Sequence, residues 1–120
     1  MQDTFLSEMR QLLQTQQASL AADIARQRSL TALEETQSEH AGLGNHMADD
    51  ATEMFEQEKN LSLLQHTTHL LAKVEAALRQ MDAGSYGSCE RCGNTIDHAR
   101  LETLPYATLC VSCKARQERA

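Results

Sequence analysis

Two long stretches without glycine or proline, parted by one short glycine-bearing interruption, set the limits on this fold. Neither residue occurs from about Thr4 to His40. Gly42, Gly44 and Asn45 then break the run. A second clean stretch leads to about Met81, where Asp82-Ala83-Gly84 ends it. Apolar residues recur at three- and four-residue intervals in both. The first stripe is Phe5, Met9, Leu12/Leu13, Leu20, Ile24, Leu30 and Leu33, thin around Gln14 to Gln17. The second is Met54, Leu61, Leu64, Leu71, Val74, Leu78 and Met81, close to a heptad seam with Gln57 and Thr68 as polar interruptions. This spacing predicts two helices, the second capped by Asp49 or Asp50. Each would run about 50 Å at the helical rise per residue. The turn from Ala41 to Ala48 reaches only about 28 Å when stretched, too short to return the chain for a parallel pairing. Each helix has one stripe to bury, so the expected arrangement is an antiparallel hairpin.

The strongest chemical signal follows the second helix. Cys89-Glu-Arg-Cys92 and Cys110-Val-Ser-Cys113 are the only cysteines, and 17 residues separate the two pairs. That is four-cysteine zinc-ribbon spacing. Four thiolates complete a tetrahedron and leave no open position, so the expected role of one Zn2+ is structural, not catalytic. Gly93 fits a tight knuckle after Cys92. A short helix, Lys114 to Arg119, is expected after Cys113, with Lys114 offsetting part of the cluster's negative charge. A redox Cys-x-x-Cys would need a strand-helix-strand context that neither pair has. The aromatic content is 3 % with no Trp, so the core must be small and a metal staple is physically reasonable. The expected division is a coiled-coil hairpin over 1–83, its tip at about 41–50, and a zinc ribbon with a short terminal helix over 84–120. The fold class is mainly α.

Net charge is −6, unevenly spread. Residues 31–58 hold Glu34, Glu35, Glu39, Asp49, Asp50, Glu53, Glu56 and Glu58 without one Lys or Arg. The stretch from Asp82 onward balances five acids against five bases. A neutral metal end with Tyr86 and Tyr106 as its only phenol rings has neither the cations nor the stacking platform for nucleic acid, so no direct DNA binding is expected. Acids in the first turn of the second helix suit its dipole. Glu34, Glu35 and Glu39 at the end of the first oppose it, which points to a tip shaped for a positive or metal-bearing partner. His66 and His69 share a helix face but lack a third ligand, and read as solvated; His98 lies between thiol pairs whose sulfurs already fill the metal. No secretory leader or bilayer-length apolar run is apparent, and reduced thiols suit a cytoplasmic setting. No Ser-His-Asp order, phosphate loop or open metal site suggests an enzyme.

The run Gly84-Ser85-Tyr86-Gly87-x-Cys89-x-x-Cys92-Gly93-x-x-Ile96-x-x-x-Arg100-Leu101-Glu102-x-x-Pro105-x-Ala107-x-x-Cys110-x-x-Cys113-Lys114 resembles the DksA/TraR family of C4-type zinc-finger transcription regulators. The resemblance implies direct binding to RNA polymerase as a monomer. The hairpin would enter the secondary channel and bring its acidic tip near the active site to modulate initiation. The family's tip pattern, Asp-x-x-Asp-x-Ala, is matched by Asp49 and Ala51, with His46 in place of the first Asp; Asp50 and Glu53 extend the acidic set. Some members bind guanosine tetraphosphate through basic residues near the zinc. Lys73 and Lys114 match two of those positions and Leu104 stands at the third, so weak or absent binding is expected. Two readings compete with this one: a zinc-stapled coiled-coil adaptor that binds another basic protein or self-associates, and a redox-sensitive zinc protein not acting on polymerase.

Overall fold

The structure is a computed structural model and describes residues 3–41 and 47–119, with side chains apart from residues 31, 33–41, 47–51 and 53. The fold is mainly α, a long antiparallel helical hairpin followed by a small four-cysteine zinc ribbon. The four helices are α1 (Asp3–Ala41), α2 (Met47–Ala83), α3 (His98–Thr103) and α4 (Val111–Arg119). Helix α2 begins two residues before Asp49, so Asp49 and Asp50 lie in its first turn instead of capping it. Helix α4 also starts earlier than the cysteine spacing suggested, so Cys113 sits within its first turn. Helix α3 is a single short turn-and-a-half that periodicity did not announce.

The C-terminal end of α2 shows why that helix stops where it does. Ser85 N–H donates to Gln80 O at 2.9 Å and Gly84 N–H to Met81 O at 3.2 Å. These are the two bonds of a Schellman turn, which needs a left-handed residue between them. Gly84 supplies it at φ +79°.

The chain packs as two compact units. One combines Met1–Ala18 with Leu71–Ala120; the other is Ser19–Leu70. In the first, the start of α1 lies beside the end of α2: Arg10 Nη1 is 3.1 Å from Asp82 Oδ1, as an antiparallel pair requires. Nearly all the buried apolar residues described belong to this unit. Phe5, Met9 and Leu13 come from α1, Val74 and Ala77 from α2, and Tyr86, Ile96 and Leu101 from the zinc segment. Leu13, Val74, Ile96 and Leu101 are fully enclosed. The helices and the metal segment therefore share one core, and none of the three could bury its apolar side chains alone.

In the second unit, Ile24 is the only buried core residue among those described. Here the seam departs from the sequence reading. Half-buried positions on α2 run through Asn60, Leu64, Thr67 and Leu70/Leu71. Met54 and Leu61, expected in the stripe, are 62 % and 55 % exposed. On α1, Leu12 and Leu30 are likewise exposed. The heptad anchored at Leu64 and Leu71 takes its second core position three residues after each leucine, not three before. That choice buries Val74 and half-buries Met81 lower down, and it leaves Asn60 and Thr67 half-buried in the seam. Thr67 tolerates the position because its hydroxyl donates back to Leu63 O at 2.8 Å.

Candidate metal centre

The zinc segment starts directly from the Schellman turn of α2. Gly87 O accepts from Ile96 N–H at 2.7 Å, and Ser88 pairs with Thr95 in one antiparallel bridge, closing a tight loop around the first cysteine pair. Within it, Cys89 N–H donates to Asn94 O at 2.8 Å and Gly93 N–H to Cys89 O at 3.0 Å. Gly93 has φ +75°, the left-handed backbone expected of the knuckle. Glu90 N–H reaches Thr108 O at 2.9 Å and ties the first knuckle to the approach of the second. Cys110 O accepts from Lys114 N–H at 2.9 Å, so the second pair is held by the opening turn of α4. Tyr86, almost fully buried, donates its hydroxyl to Pro105 O at 2.8 Å and fastens the two ends of the segment together.

These constraints bring the four sulfurs together. All lie within 4.8 Å of one another, and Cys92 Sγ and Cys110 Sγ are 3.7 Å apart. A tetrahedron with zinc–sulfur bonds of about 2.3 Å has edges of about 3.8 Å, whereas a disulfide would need about 2.05 Å. The spacing fits a metal tetrahedron. The thiol chemistry agrees. Amide N–H groups, that of Cys110 foremost and then that of Cys92, pull Cys89 down to about 6. The neighbouring sulfurs, Cys110 first and then Cys89, push Cys113 up to about 12. Four thiolates this close repel one another unless a cation lies between them. Cys89, Cys92, Cys110 and Cys113 hold one structural zinc ion, with every coordination position taken by protein.

The remaining predicted site residues divide into three groups. His46 lies outside the described residues. Asp49, Asp50, Ala51 and Glu53 are described through their backbone alone, as part of α2. Lys73 and Lys114, by contrast, come together. They line one cavity of about 130 Å³ with Arg100, Leu104, Tyr106 and Leu109. The Lys73 ammonium stands 6.0 Å from the centre of the Tyr106 ring. Arg100 Nε donates to Leu109 O at 3.1 Å, which fixes the guanidinium on the wall. In the sequence, Arg100 stands out only as part of the motif around the cysteines. Its position on α3, itself unforeseen, is what makes it the third cation.

His98 also takes a role the sequence did not indicate. Its ring stacks on Phe5, centroids 3.9 Å apart and planes within 6°. It joins the start of α1 to the start of α3 and is not a metal ligand. His66 and His69 are exposed, in keeping with solvated positions.

Residues 84–119 match the prokaryotic dksA/traR C4-type zinc finger. General stress protein 16O of Bacillus subtilis is 38 % identical over 77 residues, 64 % of this chain and 47 % of that protein. The RNA polymerase-binding transcription factor DksA of Caulobacter vibrioides is 38 % identical over 73 residues, 61 % of this chain and 51 % of its own length. The chain thus spans about half the length of these curated relatives. The solved structure of transcription factor DksA2 from Pseudomonas aeruginosa superposes with a TM-score of 0.77 at 30 % identity, covering 98 % of this chain and 86 % of the other.

Proposed function

This chain belongs to the DksA/TraR family, and from that premise we propose that it is a bacterial transcription regulator that binds RNA polymerase through the secondary channel. The hairpin tip, His46, Asp49, Asp50, Ala51 and Glu53, approaches the active-site region and alters initiation. The protein acts as a cytoplasmic monomer, without catalysis of its own; the zinc has no open coordination position through which to do chemistry. The observation that most supports this reading is the shared core of metal segment and helices. Phe5 of α1 stacks on His98, and the Schellman turn of α2 runs straight into the first knuckle. The zinc segment therefore works as a base that fixes the start of α1 and the end of α2 in one core, as suits a protein that presents a helical tip to a channel.

The acidic tip contributes through charge. Carboxylates near a polymerase active site can compete for, or help hold, the magnesium region. His46 at the first acidic position lowers that charge by one at neutral pH, so the effect on initiation is weaker than with two tip aspartates. The cavity at Lys73, Arg100 and Lys114 carries the right charge for phosphates. Its volume of about 130 Å³ lies well below the several hundred typical of a site that encloses a whole small molecule. Guanosine tetraphosphate therefore binds weakly, by its phosphates alone.

The test is a pulldown on core RNA polymerase combined with in vitro initiation. Asp49→Asn is expected to keep binding and change transcription output. If the wild-type protein fails to bind polymerase, the reading is wrong. If Asp49→Asn leaves both binding and output unchanged, the tip mechanism is wrong.

A further inference from the structure

In the unit Ser19–Leu70, helix α2 half-buries Leu64 and Leu70 but leaves several other apolar residues exposed. Met54, Phe55 and Leu61 are 62 %, 70 % and 55 % exposed, while Asn60 and Thr67 occupy seam positions. Met54 and Leu61 are seven residues apart and so share a face. Glu58 follows Met54 by four residues and Phe55 by three, and precedes Leu61 by three. At those intervals all three surround it on the helix surface. Glu58 is exposed and pairs with no cation among the described residues. The result is one carboxylate ringed by a thioether, a phenyl ring and an isobutyl group. Leu63 is exposed too but lies about 160° around the helix from Leu61, outside this ring.

We propose that this ring is a docking surface for an arginine side chain on a basic protein partner. Under the reading given above, that arginine belongs to RNA polymerase, and the surface is where α2 grips it. A guanidinium can pair with Glu58 through two parallel hydrogen bonds and lay its plane on Phe55, while its methylenes cover Met54 and Leu61. A lysine would gain the charge but neither the paired geometry nor the stacking. Charge selects this occupant over others. A second copy would bring its own run of eight acids in 31–58 against this one. A membrane with anionic lipids would meet those eight acids against Lys59 alone across 31–61. A basic protein surface meets complementary charge and covers the exposed apolar side chains.

The test measures affinity of the full-length, zinc-loaded protein for core RNA polymerase by fluorescence anisotropy. Phe55→Ala and Leu61→Gln are each expected to weaken Kd by about tenfold, and Glu58→Gln by about fivefold with a shallower dependence on salt. Leu63→Gln, on the other flank, should bind as wild type. Unchanged helical circular dichroism and zinc content separate lost contact from lost fold. If wild type binds while Phe55→Ala and Leu61→Gln stay within twofold of it, the surface is misassigned and the polymerase reading stands. Equal weakening by Leu63→Gln also overturns the assignment. A concentration-dependent dimer that Phe55→Ala dissolves would give the surface to a second copy and overturn it. Failure of wild type to bind polymerase removes both this inference and the reading it rests on.

Discussion

Tyr86 and Gly93 show how much rests on single atoms in a segment with so little core. The Tyr86 hydroxyl is buried and donates to Pro105 O at 2.8 Å. Replacement by Phe leaves that carbonyl without its donor, at a cost of about 1 kcal/mol, readable as a lower midpoint in thermal melts of the zinc-loaded protein. Burial pushes the phenol up to about 12. The neutral form is thus favoured in the fold over the ordinary value of about 10. Its contribution is complete below about pH 10 and declines as pH rises toward 12, so wild type should lose stability across that window more steeply than Tyr86→Phe. At Gly93 an added Cβ would meet nothing within 4 Å. The cost of Gly93→Ala is then purely the left-handed backbone, about 1–2 kcal/mol, and zinc should still bind at one per chain. The glycine and the thiol pairs were legible in the sequence because knuckle chemistry is local. The tyrosine's partner was not, since it lies 19 residues away across a fold-back.

At the scale of the elements, the two helices differ in what holds them along their length. Leu13 is fully buried, and Leu13→Ala should cost about 2–5 kcal/mol. Leu61, in the sequence-derived stripe but exposed, should cost less than about 0.5 kcal/mol when changed to Gln. Denaturant melts of the two variants decide between the two seams. Conversely, Asn60→Leu would place an apolar side chain in the observed seam and raise stability by about 1 kcal/mol. An unchanged melting midpoint would show that Asn60 faces water. The sequence displays helical periodicity clearly, yet Leu64 and Leu71 fit two heptad frames, one with Met54 and Leu61 in the core and one without. Only the helix packed opposite distinguishes three residues before each leucine from three after.

For the whole molecule, metal and core are one system. The zinc segment contributes Tyr86, Ile96 and Leu101 to the same interior that buries Phe5, Met9 and Leu13. Stripping zinc should therefore do more than unfold residues 84–119. Strong chelator is expected to release one zinc per chain, abolish Phe5–His98 stacking and lower the cooperativity of helix melting, while much of the helical circular dichroism persists. Independent melting of helices and metal segment in intact protein would contradict a common core. Acid should act in the same direction, because thiols must be deprotonated to hold the ion.

By itself, the sequence determined the two long helices and the metal. Glycine-free runs dictate helices, a short turn forces an antiparallel return, and four cysteines at this spacing leave zinc little alternative. Each conclusion follows from local geometry or chain reach. Tertiary structure decided what faces what. It turned Met54, Phe55 and Leu61 to solvent, set His98 against Phe5, and gathered Arg100 with Lys73 and Lys114 around one cavity. Those outcomes depend on which of several similar stripes is buried. That choice belongs to the packing of side chains between elements, which the periodicity of a single helix does not contain.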